Sequence, residues 1–230
     1  MRLKLYRYDP ERDAKPRTEE VEVATEPGMM LRDALLRYKE QDPTFTFRHS
    51  CGEGVCGSDA MNINGTNGLA CITPVADLRE PVTVRPLPGM PVIRDLVVDM
   101  EPFYAQYRAV EPWLTVHDPE PEVEYRQSPE ERAELDGLYE CILCGACSTA
   151  CPSFWWNPES FRGPAALLQA WRFINDSRDQ AAEQRLAALD GPYRLFRCHT
   201  IMNCVEVCPK GLNPTAAIGH IKQRMVKENL

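Results

Sequence analysis

From Arg2 to Tyr8 polar and apolar side chains alternate, the period of a half-buried strand. Val21-Glu22-Val23 repeats the pattern after a charged, proline-containing turn and is its expected partner. The period then changes. Leu31, Ala34, Leu35 and Tyr38 recur at helical spacing and predict a short amphipathic helix over 30–40. A glycine-rich cysteine stretch (51–59) follows, then a short strand from Ala60 to Ile63. Asn64-Gly65 and Asn67-Gly68 predict tight turns, and Val82-Thr83-Val84-Arg85 a closing strand. The first hundred residues read as a small mixed sheet with one helix.

After Asp99 the signal turns helical. Residues 117–124 are acidic and proline-rich and predict an exposed connector to which no function attaches. Ser128, Pro129 and Glu131 supply an N-cap, a first-turn proline and a capping-box glutamate for a helix expected to deliver Cys141. Gly163-Pro164 opens another helix, with Leu167, Leu168, Trp171 and Ile174 on one face. Residues 179–189 are strong helix formers. Asn213-Pro214 caps a last helix whose Ile218, Ile221 and Met225 face inward. Its Lys222, Arg224 and Lys227 read as complements of the helix dipole or as a membrane-contacting patch.

Composition sharpens this outline. The 230 residues include 10 cysteines, far more than packing needs, so metal or covalent chemistry is the first suspicion. A net charge of −8 argues against a protein that grips nucleic-acid phosphates. No apolar run approaches the ~20 residues that span a bilayer. The first residues carry neither a signal-peptide core nor the bias of a transit peptide, so the expectation is a reducing compartment in which thiols stay free to act as ligands.

Cys51-x4-Cys56, with Cys71 further on, approximates the plant-type ferredoxin spacing, with Asp59 where the third cysteine would stand. Gly52, Gly54 and Gly57 let the loop wrap closely and aim backbone N–H groups at sulfur. A carboxylate ligates iron, so Asp59 completes a set of four for a [2Fe–2S] cluster. A zinc site and three buried structural thiols remain the alternatives, although zinc favours tighter pairs and has no use for three glycines.

The second group is more specific. Cys141-x2-Cys144-x2-Cys147-x3-Cys151-Pro152 matches the bacterial ferredoxin run in full, and Cys198-x2-Ile201-x2-Cys204-x3-Cys208-Pro209 repeats it with one cysteine missing. In two-cluster ferredoxins the fourth cysteine of each run serves the other cluster. Cys141, Cys144, Cys147 and Cys208 then make four ligands for [4Fe–4S]. Cys151, Cys198 and Cys204 make three, with Ile201 at the vacant corner, as a [3Fe–4S] cluster requires. Seven thiolates do not divide into zinc's tetrahedral fours. Nothing nearby resembles a nucleophile or acid–base pair, and Ser148 and Thr149 read as hydrogen-bond donors to sulfur or backbone.

The order of these two parts resembles the iron–sulfur subunit of succinate dehydrogenase (respiratory complex II), bacterial type, over nearly the whole chain. The resemblance lies in Arg48 to Asp59, Asn67 to Pro74, Arg85 to Leu96, Cys151 to Pro158 and Cys208 to Pro214. Aspartate at the position of Asp59 occurs in some bacterial members. The resemblance implies a flavoprotein subunit that oxidises succinate on FAD and two small membrane anchors of cytochrome b type. Electrons enter at [2Fe–2S], pass through [4Fe–4S] to [3Fe–4S] and leave to ubiquinone. It implies no catalytic residue on this chain, because the dicarboxylate site lies on the partner. It also implies a quinone pocket at Trp156, Pro152, Ser153, Trp155, His199 and Ile201.

The residues themselves agree with a quinone site, since an indole N–H can donate to a carbonyl and an imidazole can supply protons near neutrality. Interface packing by Trp155 and Trp156, with His199 a neighbour of sulfur or a haem propionate, is the plainer alternative. Lys210 reads as near the pocket, near an anionic lipid, or simply solvated. The expected fold is α+β: a β-grasp plant-type ferredoxin domain (1–100), then an all-α bacterial-ferredoxin-like domain (101–230). The expected position is peripheral on the cytoplasmic face of a bacterial inner membrane, held by the anchors. The alternatives are a fumarate reductase subunit working in reverse with menaquinol, a free ferredoxin-type carrier, or a zinc-stabilised module.

Overall fold

The computed structural model describes residues 1–119 and 121–228, so Glu120 of the acidic connector lies outside the described residues. Two compact units emerge: Met1–Met100 with Ile142–Ala150 and Val207–Pro209, and Glu101–Cys141 with Cys151–Glu206 and the chain from Lys210 onward.

The first unit contains strands β1 (Arg2–Arg7) and β2 (Arg17–Glu22), helix α1 (Leu31–Gln41), and strands β3 (Ala60–Ile63), β4 (Thr66–Leu69) and β5 (Val82–Arg85). They form one sheet ordered β2-β1-β5-β3-β4, in which β1 and β5 run parallel and the other neighbours antiparallel. The alternation in β1 turns Leu3 and Leu5 inward, where they meet Val82, Val84 and the α1 stripe of Leu31, Ala34, Leu35 and Tyr38. β2 is a charged edge strand that begins four residues before the predicted Val21, and its Glu20 pairs with Lys4 at 2.9 Å.

Arg7 continues the inward face of β1 and is buried. It donates to Asp95 (3.1 Å), Asp42 (2.7 Å), Glu19 (2.8 Å), the Tyr38 hydroxyl and Thr44. Burial disfavours its charge, but these partners more than offset that and hold the guanidinium above its ordinary pKa.

One of the two expected tight turns needs correction. Asn64-Gly65 does make the hairpin turn, both residues having positive φ (50° and 92°), as a two-residue turn of this hand requires. Asn67-Gly68 does not turn. It lies within β4, where the buried Asn67 side chain donates to the Ala146 carbonyl and to Thr149 Oγ1, both at 3.0 Å. The short hairpin of β6 (Val92–Arg94) and β7 (Val97–Val98) was not foreseen, its strands being too brief for a periodic signal.

The second unit opens with α2 (Glu101–Arg108) and α3 (Pro129–Ala133). Ser128 and Glu131 form the expected capping box, but α3 ends at Ala133. Turns carry the chain on to Cys141, with Gly137 in the left-handed region (φ 81°). α4 (Ala146–Thr149) belongs to the first unit. α5 (Pro152–Trp156) and α6 (Gly163–Ile174) follow, and α6 is buried on nearly all sides rather than one face. α7 (Ala182–Leu189) starts later than predicted because Asp179 is engaged otherwise, accepting from Ala181 N and from Arg185. The buried Arg185 also donates to the carbonyls of Val110, Glu111 and Trp113, fixing that irregular segment.

α8 (Asn203–Glu206) and α9 (Pro214–Lys227) complete the chain, with Ile218, Ile221 and Met225 of α9 buried as expected. Lys222 donates to the Cys198 carbonyl (2.9 Å) and Arg224 to that of Ile174 (3.2 Å), so two of the three expected dipole complements are used in packing. Among its described residues the connector forms no regular element, yet its backbone at His117 and Asp118 is tied to Gln180. Among the described residues no helix is long and apolar enough to cross a membrane.

Candidate metal centres

In the loop from Cys51 to Cys56 the backbone folds back on the first thiol. The N–H groups of Glu53 and Cys56 point at Cys51 Sγ from 3.4 and 3.3 Å. Gly52 (φ 80°) and Gly54 (φ 68°) permit this curl, which a side chain resists. The converging N–H dipoles of Glu53, Cys56 and Val55 lower the Cys51 thiol to about 6, so the loop is built to hold a sulfur anion. Cys56 Sγ lies 3.1 Å from Ser58 Oγ.

Asp59 and Cys71 meet the same loop. Asp59 is buried, and its Oδ2 accepts from Cys71 N at 2.6 Å while its Oδ1 has no hydrogen-bond partner. Burial raises the Cys71 thiol to about 11, helped by Asp59, and the Gly54 N–H opposes it. A carboxylate oxygen buried without a donor, on a side chain that touches Cys71, suits a cation. Iron in a [2Fe–2S] cluster fits this donor set.

Gly57 shows how tightly the loop packs. A Cβ there meets Cys144 Cβ at 2.7 Å and its Cα at 3.0 Å, so only glycine lets the first cysteine loop approach the second. Cys144, Cys147 and Cys208 all lie in the first unit, and Cys141 is the last residue of a second-unit segment. Thr149 Oγ1 donates to the Gly145 carbonyl (2.8 Å), in line with its expected role as a donor to backbone, and Asn67 braces the same turn.

The two long runs share a backbone device. Cys144 sits between Leu143 (φ 53°) and Gly145 (φ 80°), and Ile201 sits between Thr200 (φ 59°) and Met202 (φ 72°). Left-handed residues flank the middle position in both runs, and for the three that are not glycine this is strained. The second run thus keeps the turn that presents a ligand and presents isoleucine.

Cys151, Cys198 and Cys204 line one small cavity together with Pro152, Ser153, His199, Ile201 and Thr215. Burial raises the thiols of Cys151 and Cys204, with each cysteine's charge opposing the others, and the Thr215 hydroxyl 3.2 Å from Cys204 Sγ works the other way. Three thiols around one space, with an alkyl group at the fourth position, fit a [3Fe–4S] cluster.

Of the six quinone candidates, four line this cavity with the thiols and two, Trp155 and Trp156, do not. Those two stand on α5 and are exposed, Trp156 by 66%. Ile201 (48%) and Met202 are exposed too. Ser153 is buried and donates to the Arg197 carbonyl (2.9 Å). Sequence reasoning missed Ser58 and Thr215. The first stands two residues from its cysteine and was open to view; the second is eleven residues from its partner, on another helix.

Comparison with known proteins agrees with this chemistry. Residues 2–105 match the model of a 2Fe-2S iron-sulfur cluster binding domain, and residues 137–212 that of a 4Fe-4S dicluster domain. The chain is 55% identical over 230 residues to a succinate dehydrogenase iron-sulfur subunit of Coxiella burnetii, covering 99% of this chain and 98% of that one. It is 53% identical over 227 residues to the protein of the same name from Paracoccus denitrificans, covering 98% and 88%. Among solved structures, a chain of the Mycobacterium smegmatis Sdh1 complex in the apo form superposes with a TM-score of 0.86 at 26% identity, covering 99% of this chain and 95% of that one.

Proposed function

The chain belongs to the family of succinate dehydrogenase iron–sulfur subunits, and from that premise we propose which of its residues carry electrons from a flavoprotein to a quinone. When bound, the [2Fe–2S], [4Fe–4S] and [3Fe–4S] clusters supply one-electron carriers in series between the FAD of the partner subunit and ubiquinone. Cys51, Cys56, Asp59 and Cys71 hold the first; Cys141, Cys144, Cys147 and Cys208 the second; Cys151, Cys198 and Cys204 the third. In this reading residues 1–100 form the [2Fe–2S] domain and 101–230 the domain of the other two. Gly57 keeps the first loop against Cys144, a short separation that favours transfer between them.

His199, Pro152, Ser153 and Ile201 shape the quinone end, with the exposed Trp156 and Trp155 meeting the ring or an anchor subunit. The exposed tryptophan pair with His199 favours ubiquinone reduction over reverse, menaquinol-driven fumarate reduction. Two membrane anchors of cytochrome b type, covering the apolar surface of Trp155, Trp156, Ile201 and Met202, keep the chain on the cytoplasmic face of the inner membrane.

The observation that carries this reading is the shared turn at Cys144 and Ile201. It supports a second ligand loop that has given up one ligand, which is a demand of [3Fe–4S] and not of zinc. Low-temperature EPR of the intact complex, as isolated, tests it. A narrow signal near the free-electron position that vanishes on adding succinate is the expected result. A signal indifferent to succinate overturns the partner, and its absence at full iron content overturns the ligand assignment.

A further inference from the structure

We propose that Thr215 is a positioning residue that raises the potential of the [3Fe–4S] centre by donating its hydroxyl to Cys204 Sγ. The pair is 3.2 Å apart, Cys204 is buried, and Thr215 and Cys204 line the same cavity. Either atom can donate in a free thiol–hydroxyl pair. A thiolate bound to iron has no proton, so in the loaded protein the hydroxyl must be the donor.

Local structure frees that hydroxyl for the task. Inside a helix a threonine hydroxyl usually turns back to the carbonyl four residues earlier. Thr215 is the second residue of α9, so the carbonyl four back, that of Gly211, precedes the helix. Asn213 caps the turn by accepting from Ala216 N at 2.9 Å, and Pro214, Ala217 and Ile218 are buried around it, so the hydroxyl is delivered by a fixed element. Reduction adds one electron and places more negative charge on sulfur. A donor to sulfur therefore favours the reduced form, and potentials of such centres follow the hydrogen bonds their sulfurs receive.

The inference rests on the assignment of Cys151, Cys198 and Cys204 to this cluster, and the test separates the two. In the intact complex, the [3Fe–4S] EPR signal is titrated against ambient potential in the wild type and in Thr215→Val, Thr215→Ala and Thr215→Ser. Absence of the signal in the wild type defeats the ligand assignment. With the signal present, Val and Ala are expected to lower the reduced-to-oxidised ratio about tenfold at fixed potential, a negative shift of ~59 mV for a one-electron couple. Ser is expected to stay near the wild type. An unshifted Val or Ala variant overturns the proposal, as does a shift that Ser shares. Loss of the cluster in both Val and Ala with retention in Ser also overturns it, because the hydroxyl then holds the ligand instead of tuning it.

Discussion

At the loop 51–57 sulfur charge meets solvent and converging backbone N–H groups, whereas Cys204 is buried among packed side chains with the Thr215 hydroxyl as its side-chain donor. The consequences for the thiols are opposite: Cys51 falls to about 6, and Cys151 and Cys204 are pushed up by burial. One solution is written in glycine and lets main-chain dipoles carry the charge. The other buries its thiols, with the N–H groups of Ser153 and Phe154 serving Cys151 and a side chain of another helix, Thr215, serving Cys204. A main-chain solution is hard to mutate away; a side-chain solution is open to single substitutions.

The largest expected effect erases the feature that sets the second site apart. Ile201→Cys restores a fourth thiolate at the end of an already formed turn. The as-isolated EPR signal should disappear as the site takes up a fourth iron, with iron analysis rising accordingly. Persistence of the narrow signal breaks the equivalence of Ile201 with Cys144.

Next come the buried arginines that stiffen the two scaffolds. Arg185 and Asp179 are 3% and 1% exposed, and Arg7 and Asp95 both 4%. Replacing either arginine by alanine strands a buried carboxylate and should cost about 3–5 kcal/mol, seen as a lower thermal midpoint of the complex. The first scaffold is the better insured, because Asp42 and Glu19 of the Arg7 cluster reach solvent and rehydrate.

Gly57→Ala ranks third. It combines a positive φ (69°) with a clash against Cys144 Cβ, a strain of ~1–3 kcal/mol. The loop should move outward and weaken the magnetic interaction between the reduced [2Fe–2S] and [4Fe–4S] centres; an unchanged EPR relaxation rate removes Gly57 from the path. The smallest effect is expected at Ser58→Ala. Its hydroxyl lies 3.1 Å from Cys56 Sγ, but that sulfur is exposed and water replaces the donor, so the [2Fe–2S] potential should move less than the [3Fe–4S] potential does in Thr215→Val. A larger shift at Ser58 inverts the comparison.

Much of this was legible in the sequence because it is local. Strand alternation in β1, the α1 stripe, the Ser128 capping box and the cysteine spacings are set within a few residues of one another. What escaped depends on partners far along the chain. Asn67-Gly68 has turn composition, yet Asn67 is drawn into a strand by Ala146 and Thr149, some eighty residues on. Asp179 has the chemistry of a helix start but is spent on Arg185, which in turn serves carbonyls at 110–113. At the candidate metal centres the spacing proposes the ligands and the glycines the N–H groups of the first loop, but not Thr215, which reaches Cys204 only through the fold.

The first compact unit begins at residue 1 but also needs residues 142–150 and 207–209. Synthesis proceeds from the N-terminus, so a sheet made early is completed only by segments made much later. Its sheet can form on the ribosome, yet the segment bearing Cys208 joins only after 206 residues have emerged. Closing so long a loop is slow compared with local helix formation. Under the proposed ligand assignment, loading of Cys144, Cys147 and Cys208 is therefore a late event in the life of the molecule. A nascent chain stalled before residue 207 should hold a folded sheet, with the two early cysteines still waiting for their partner.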